Sequence, residues 1–563
     1  MFQCSQERAY ARVPQGICVS AVWPNLSAFE PNPDLAGFRP AIGRQGLVSS
    51  PHAGASRIGL DILRQGGNAV DAAIATSAAL AVYTPMQCGP GGDAFWLIAS
   101  SDGDMSAMDA SGPASRNADP VKLRKQGFLS IEERSAYSVT VPGAVDGWAR
   151  AAKLFGTRTL SELLEPAATL AEQGFTATRH TVASFAVAED ALRARNSLRL
   201  WSEEGLAPRL YDTIRQPRLA YALRQIGRSD GRDFYEGAIA KAIVRAVSEA
   251  GGWIDEYDLS TYEAELTVPI SSRFADFEIF TTPPSTQGFS LLAALARVEP
   301  LLNGSFDRRD PADVHVLVEA VADGLRLRDL HNADRRHFIG LAASTWSRDA
   351  AKRFAAAFDR KWRSATAAAP TTRVTRGDTA HLTVVDRHGT AVSLIQSLFF
   401  DFGSCIAVEE GGFTLQNRGS AFHLEPDLPG HLAPGHRPPS TLMPTIVLRD
   451  EKPVLSLGCM GGDGQMQTQL QILIDVLLGG LDPQQAASRP RWYLDRSSPD
   501  GAVIKVEAGV LNSVVDGLRA LGHQVEVLGA SEEVMGHAQV IQLLDGVLIG
   551  AADPRSDGQA HAF

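Results

Sequence analysis

Five cysteines in 563 residues (Cys4, Cys18, Cys88, Cys405 and Cys459) are few, odd in number and nowhere spaced Cys-x-x-Cys. That argues against a disulfide framework and against a structural zinc site. Cys405 and Cys459 read best as small buried hydrophobes, with a pocket-lining role as the alternative. Long apolar runs are missing as well. Stretches such as Leu470–Leu478 are short and interrupted by Gln471 and Asp475, too little to span a bilayer. The first forty residues carry Glu and Arg early, several prolines and no continuous apolar core, unlike a secretory signal, so the expected location is cytoplasmic. There is no basic cluster with interleaved aromatics, and the net charge is −11, which argues against a nucleic-acid face. No repeat period is evident, which speaks against a solenoid.

What is present is the composition of a globular protein with a real core: 44% hydrophobic and 21% charged residues. The length allows two to four ordinary domains or one large α/β core. Residues 45–100 alternate an extended Gly46–Ser50, a helix from Ser56, a second helix over Ala69–Val82 and a strand Ala94–Ser100. The loop Gly89-Pro90-Gly91-Gly92 precedes a strand, not a helix, so it fails as a dinucleotide fingerprint and reads as a turn bringing backbone close to a site. Residues 120–370 are mostly helix-patterned, near 160–173, 180–194, 217–227, 237–250, 311–331 and 346–366. Ala367–Thr372 is a low-complexity stretch suited to a cleavage loop. Beyond Thr379 the pattern turns to strands near 380–386, 390–398, 405–408, 412–416, 444–449 and 453–458. A helix near 465–478, another near 507–521 and three final strands follow. The order is that of an α+β protein, compatible with two stacked sheets covered by helices.

Residues 377–403 carry the most information. Two alternating apolar runs flank Arg387-His388-Gly389, a β-hairpin pattern. Thr379 opens the first run, just after the breaker-rich Thr375-Arg376-Gly377-Asp378. A threonine there fits ordinary β-propensity. If the chain is cut before it, however, one residue holds both a hydroxyl and an α-amine titrating near pH ~8, a nucleophile with its own base.

Further words follow in order: Gly403-Ser404-Cys405-Ile406, Pro434–Ile446 with Ser440 and Thr441, and Leu457-Gly458-Cys459-Met460-Gly461-Gly462-Asp463-Gly464. Upstream stand Gly59–Ala73, Val141–Val145, Phe234-Tyr235-Glu236-Gly237 and, near the end, Ala552-Asp553-Pro554-Arg555. In this order, from about residue 44 to 558, the chain resembles the γ-glutamyltranspeptidase family of N-terminal-nucleophile hydrolases. The resemblance implies an αββα sandwich and autocatalytic cleavage between Asp378 and Thr379. The pieces would be an N-terminal extension 1–43 and a large subunit 44–378, with a small subunit 379–563. It implies that Thr379 is the catalytic nucleophile and that Ser397, eighteen residues on, hydrogen-bonds it. Gly461 and Gly462 would form the oxyanion hole, with a plain turn pair as the alternative; Ser440 and Thr441 would contact the acyl part of the substrate, and Asn417 would wall the pocket, with an Asx-type turn residue as the alternative.

Three positions depart from the family. The position matching its carboxylate-binding arginine is Ser111, and those matching its α-amine acceptors are Phe399 and Ala421. An α-ammonium buried without acceptors costs several kcal/mol, so γ-glutamyl specificity is doubtful. Arg418 offers a guanidinium suited to a carboxylate, with a structural salt bridge as the alternative. The stretch between Phe422 and Arg437 is shorter than the lid-bearing loop of many relatives. This pattern is similar to the branch that holds oxamate amidohydrolase and cephalosporin acylases.

The expected function is a self-processing threonine amidohydrolase releasing a carboxylate-bearing acyl group, with water as acceptor, no cofactor and no metal. The partners are a small-molecule amide and the two subunits, with assembly of the processed heterodimer into an oligomer left open. A γ-glutamyltransferase or glutathione hydrolase, and a processed but idle binding protein, are the alternatives. A metallohydrolase built on His315, Glu319 and Asp323, with His331 and His337 beyond, is weaker, because such a stripe is usually a polar helix face.

Overall fold

The expected hairpin forms as antiparallel strands Asp378–Asp386 and Ala391–Phe399, with Val385 opposite Ala391. The computed structural model describes residues 39–338, 342–363, 378–497 and 501–563, side chains of 342 and 343 excepted. Expectations for residues 1–38, Ala367–Thr372 and Thr375–Gly377 lie outside the described residues.

The hairpin is the centre of a seven-stranded antiparallel sheet. Ala391–Phe399 pairs with Asp93–Ala99, followed outward by Met105–Ala110 and Glu265–Thr267. On the other side Asp378–Asp386 pairs with Gly46–Ser50, and that strand with Gln559–Ala562. A second seven-stranded antiparallel sheet runs Ala41–Gly43, Val547–Ala552, Ala538–Leu544, Lys452–Cys459, Thr445–Arg449, Phe277–Thr281 and Ile270–Phe274.

Strand alternation sorts the side chains into layers. Val385, Leu47 and Leu97 point inward and pack on Ile446, Leu448 and Ile541 of the second sheet. Leu382, Val384 and Leu394 point outward beneath helices Ala53–Arg64 and Ala69–Tyr83. The second helix is buried all round, which suits its alanine-rich sequence, and an Asn68–Asp71 capping box starts it. On the far side, Val447, Leu457 and Val540 meet helices Gly288–Leu302, Pro311–His331 and Gly464–Leu477. Helices therefore enclose two stacked sheets in an αββα sandwich.

The interior also has a polar seam. Thr383 Oγ1 meets Ser456 Oγ at 2.6 Å across the sheets, and Ser393 Oγ donates to the Leu457 carbonyl at 3.0 Å. His381 Nε2 lies 2.9 Å from Ser393 Oγ, and burial pushes its imidazole down to about 3.

The helical pattern of residues 120–370 hides strands Glu265–Thr267, Ile270–Phe274 and Phe277–Thr281, and helices Ala144–Phe155 and Gly288–Leu302 go beyond those expected. The helix expected from 346 ends at Ala357, and that expected from 507 starts at Asn512. Among the described residues no helix is long and apolar enough to cross a membrane.

Candidate active site

Thr379 sits where the central ladder slips. Asp378 faces Phe399 but Ala380 faces Gln396, so the returning strand carries one extra residue opposite Thr379. The bulge brings Ser397 against Thr379. Thr379 Oγ1 donates to Ser397 Oγ at 3.2 Å, and Ser397 Oγ donates to the Asp378 carbonyl at 2.8 Å. The Phe399 N–H donates to Ser397 Oγ at 2.7 Å, which fixes the hydroxyl's direction. Both hydroxyl residues are buried.

Gly92 closes one wall: a Cβ there would stand 2.5 Å from the Ser397 carbonyl oxygen, so only glycine lets the loop approach. The Gly-rich loop before Asp93 is thus a close-approach turn beside Ser397.

The Asp378 side chain has its own surroundings. Its Oδ1 accepts from the Thr379 N–H at 3.2 Å and from Gln87 Nε2 at 3.0 Å. Gln87 in turn lies 3.3 Å from His180 Nε2, and His180 Nδ1 lies 3.7 Å from Glu533. The carboxyl of Asp401 adjoins that of Asp378 and is coupled to it. Burial, then the Asp378 charge, pushes Asp401 up to about 10, and burial raises Asp378 too.

Gly461 and Gly462 turn the chain from strand Lys452–Cys459 into helix Gly464–Leu477. Gly461 has φ +130°, a conformation that side chains disfavour. The Gly461 carbonyl accepts from the Gly464 N–H at 2.7 Å. In a trans peptide the Gly462 N–H therefore points the opposite way, out of the helix, as an anion site requires.

Ser440 and Thr441 are fastened to that turn by Gln287, whose Nε2 donates to the Thr441 carbonyl at 2.7 Å and the Gly462 carbonyl at 3.1 Å. Arg328 holds the other end of Gln287 at 3.2 Å and pairs with Asp463. Ser440 Oγ accepts from the Leu442 N–H at 3.3 Å, whereas Thr441 Oγ1 is buried without a hydrogen-bond partner among the described residues.

Asn417 spends its side chain on backbone. Its Oδ1 accepts from the Phe400 N–H at 3.2 Å and its Nδ2 donates to the Glu133 carbonyl at 2.8 Å. Arg418 is 1% exposed and grips Asp93 with Nε at 2.8 Å and Nη2 at 3.1 Å. Its guanidinium lies 4.2 Å from the Phe399 ring centre, and Nη1 has no hydrogen-bond partner among the described residues. Asp93 stands directly opposite Ser397 in the ladder, which ties the arginine to the residue that Thr379 touches. Ser111 Oγ donates to Asp109 Oδ1 at 2.6 Å, and Arg437 Nη1 lies 3.7 Å from the same oxygen.

Asp93, Gln87 and Gln287 had no signal in the sequence, since each is a single polar residue outside the ordered words, and Asp401 lies within residues 377–403 but at no position that the resemblance assigns. The thiols of Cys405 and Cys459 are buried, which pushes them up to about 11 and about 12. The stripe His315, Glu319, Asp323 divides. Asp323 pairs with Arg297 and Arg326, whereas His315 Nδ1 meets His523 Nε2 at 2.8 Å with Glu319 nearby. His337 packs on His436, ring centres 4.6 Å apart.

The gamma-glutamyltranspeptidase profile matches residues 55–563. Among curated proteins, the oxamate amidohydrolase proenzyme of Klebsiella pneumoniae is 36% identical over 93% of this chain and 99% of its own length. The glutathione hydrolase-like YwrD proenzyme of Bacillus subtilis is 34% identical over 92% of this chain and 98% of its own. The crystal structure of a cephalosporin acylase from Bacillus halodurans superposes with a TM-score of 0.88 at 29% identity, covering 95% of this chain and 99% of that one. With the profile spanning nearly the whole length and the αββα layers in place, the chain belongs to the gamma-glutamyltranspeptidase family.

Proposed function

We propose that this family member is an amide hydrolase that cuts itself before Thr379 and then removes a carboxylate-bearing acyl group, of the oxamate or glutaryl kind, from an amide. The observation that carries the reading is the relay from Thr379 Oγ1 to Ser397 Oγ to the Asp378 carbonyl, at 3.2 and 2.8 Å. The hydroxyl lies beside the carbonyl of the bond to be broken, and that carbonyl already receives a hydrogen bond. The relatives named as proenzymes point the same way.

Scission yields a large subunit ending at Asp378, with residues 44–378 as its body, and a small subunit 379–563. In the mature site the Thr379 α-amine takes the proton from Oγ as the hydroxyl attacks the substrate carbonyl. Ser397 holds the hydroxyl, and the N–H groups of Gly461 and Gly462 receive the oxyanion. Water then opens the acyl ester, and no cofactor enters the sequence.

Specificity falls to Ser440, Thr441, Asn417 and Arg418. Thr441 Oγ1 and Arg418 Nη1 are buried polar atoms without a partner among the described residues, the kind of group a substrate carbonyl or carboxylate satisfies. Because Asp93 neutralises Arg418, the site offers a directed N–H rather than a free positive charge. Asn417 acts by holding the backbone of Phe400 and Glu133.

One observation favours a second reading, glutathione hydrolysis: Arg437 brings a guanidinium to the Asp109–Ser111 corner where the chain lacks the family's arginine. Parallel turnover assays on oxamate, a glutaryl amide and γ-glutamyl-p-nitroanilide decide between the two. Thr379→Ala is expected to give one uncut chain with no turnover of any of them. An active Thr379→Ala protein overturns both readings.

A further inference from the structure

The family chemistry uses the Thr379 hydroxyl and the neighbouring serine, and leaves the two acids at the scissile bond without a task. Asp378 Oδ1 accepts from the Thr379 N–H at 3.2 Å, which sets this carboxyl, with its other oxygen free to carry a proton, beside the atom that must gain one when the peptide bond breaks. Gln87 Nε2 holds the same oxygen at 3.0 Å, so the carboxyl is aimed and not free to turn. The Asp401 carboxyl lies close enough to the Asp378 carboxyl for each to shift the other's titration, and Asp401 is itself anchored through its carbonyl, which accepts from Arg134 Nη1 at 2.6 Å. Asp401 Oδ1 is buried without a hydrogen-bond partner among the described residues. Two carboxyls in contact inside a protein cannot both ionise, so the pair retains a proton.

Resting on the reading that the chain is cut before Thr379, we propose that the Asp378 side chain protonates the Thr379 nitrogen as their bond breaks. Asp401 is the positioning residue that keeps a proton available to it. In this step the bond from Thr379 Oγ to the Asp378 carbonyl carbon forms and the carbon–nitrogen bond breaks. The proton leaving Oγ replaces, on the acid pair, the proton that the pair gives to nitrogen. Atoms and charge close on an ester, a primary amine and an unchanged pair. Water then opens the ester, returning the Thr379 hydroxyl and leaving a carboxylate at Asp378.

The raised titration of Asp401, to about 10, and of Asp378 supports this assignment. The other charged groups around the pair are Arg134 and His180 beside Asp401, Glu533 beside Asp378, and the Cys88 thiol, itself pushed up to about 12 by burial. Arg134 and His180 act to lower Asp401, but burial and Asp378 outweigh them. A mature enzyme needs none of this: once the nitrogen is a free amine, the pair has finished its work.

The test follows freshly refolded precursor on gels between pH 5 and pH 9, timing its division into residues 1–378 and 379–563. Wild type is expected to cut at a steady rate to pH 8 and more slowly above. Asp401→Asn is expected to slow scission at least tenfold at pH 8. Asp378→Asn, which leaves Asp401 in place, is expected to slow it as much and to abolish the pH dependence. Near-UV circular dichroism checks that each variant is folded, and the Asp378→Asn result stands alone if Asp401→Asn is not. If both folded variants cut at the wild-type rate with the wild-type pH profile, the proposal is overturned. Scission of Thr379→Ala would sink the parent reading instead, which keeps the two failures apart.

Discussion

Thr379 Oγ1 and Ser397 Oγ stand 3.2 Å apart because the ladder slips by one residue between Asp378 and Ala380, placing the serine across from the threonine. Ser397 is also the donor to the Asp378 carbonyl at 2.8 Å. Ser397→Ala removes that donor, and scission is expected to slow by about two orders of magnitude, the usual cost of one oxyanion donor. Ser397→Thr keeps the hydroxyl and most of the rate. Time courses of band intensity measure both, and an unaffected Ser397→Ala precursor rules the relay out.

Arg418 and Asp93 form a fully enclosed pair, at 1% and 0% exposure of their side chains. Removing one partner strands the other charge in the core. Arg418→Ala is therefore expected to destabilise the fold by about 3–5 kcal/mol, in addition to any effect on substrate. The double variant Arg418→Met/Asp93→Asn should recover most of that loss. Calorimetry on both separates a structural pair from a pure ligand contact, and a stable Arg418→Ala protein contradicts the expectation.

Acid is expected to weaken the fold through histidines that are buried neutral. Burial holds His381, His523 and His537 down to about 3, against an unfolded value near 6.5. Below pH ~6.5 the unfolded chain binds protons that the folded one refuses, so stability is full above that pH and falls as pH drops towards 3. Melting temperatures from pH 7.5 to pH 5 should decline, and His537→Asn should reduce the slope. A flat profile counts against neutral burial.

The acid pair predicts the opposite sign. Asp401, raised to about 10, stays protonated in the fold while the unfolded chain ionises above pH ~4. Its contribution therefore turns steadily against the fold as pH rises from 4 to 10. In the uncut Thr379→Ala chain, Asp401→Asn should raise the melting temperature at pH 8, and the gain should vanish near pH 4. A loss of stability at pH 8 would mean that Asp401 is ionised and paired.

The hairpin, the Gly461-Gly462 turn and the helix Pro311–His331 were legible because each has a local signal: alternation, a glycine pair between strand and helix, an aspartate cap before proline. The strands Ile270–Phe274 and Phe277–Thr281 were not. Ile270-Ser271-Ser272-Arg273 has half-buried polar residues at a sheet edge, and its apolar partners come from distant segments. At the site, ordered words singled out Thr379, Gly461 and Gly462 as candidates. Asp93 and Gln287 work through partners some 325 and 154 residues away, a relation that no local pattern carries. Arg418 illustrates the limit: its type predicted a carboxylate partner, and only the fold revealed that Asp93 of this chain supplies one.

Strand Gly46–Ser50 is bracketed by Asp378–Asp386 on one side and Gln559–Ala562 on the other, while Ala41–Gly43 lies beside Val547–Ala552. A break before Thr379 thus leaves two polypeptides laced through both sheets, with neither sheet belonging wholly to one of them. Pulling them apart means unzipping the sandwich, so melting and dissociation become a single bimolecular event. The melting temperature of the nicked protein should then climb with its concentration, while that of the intact Thr379→Ala chain should not.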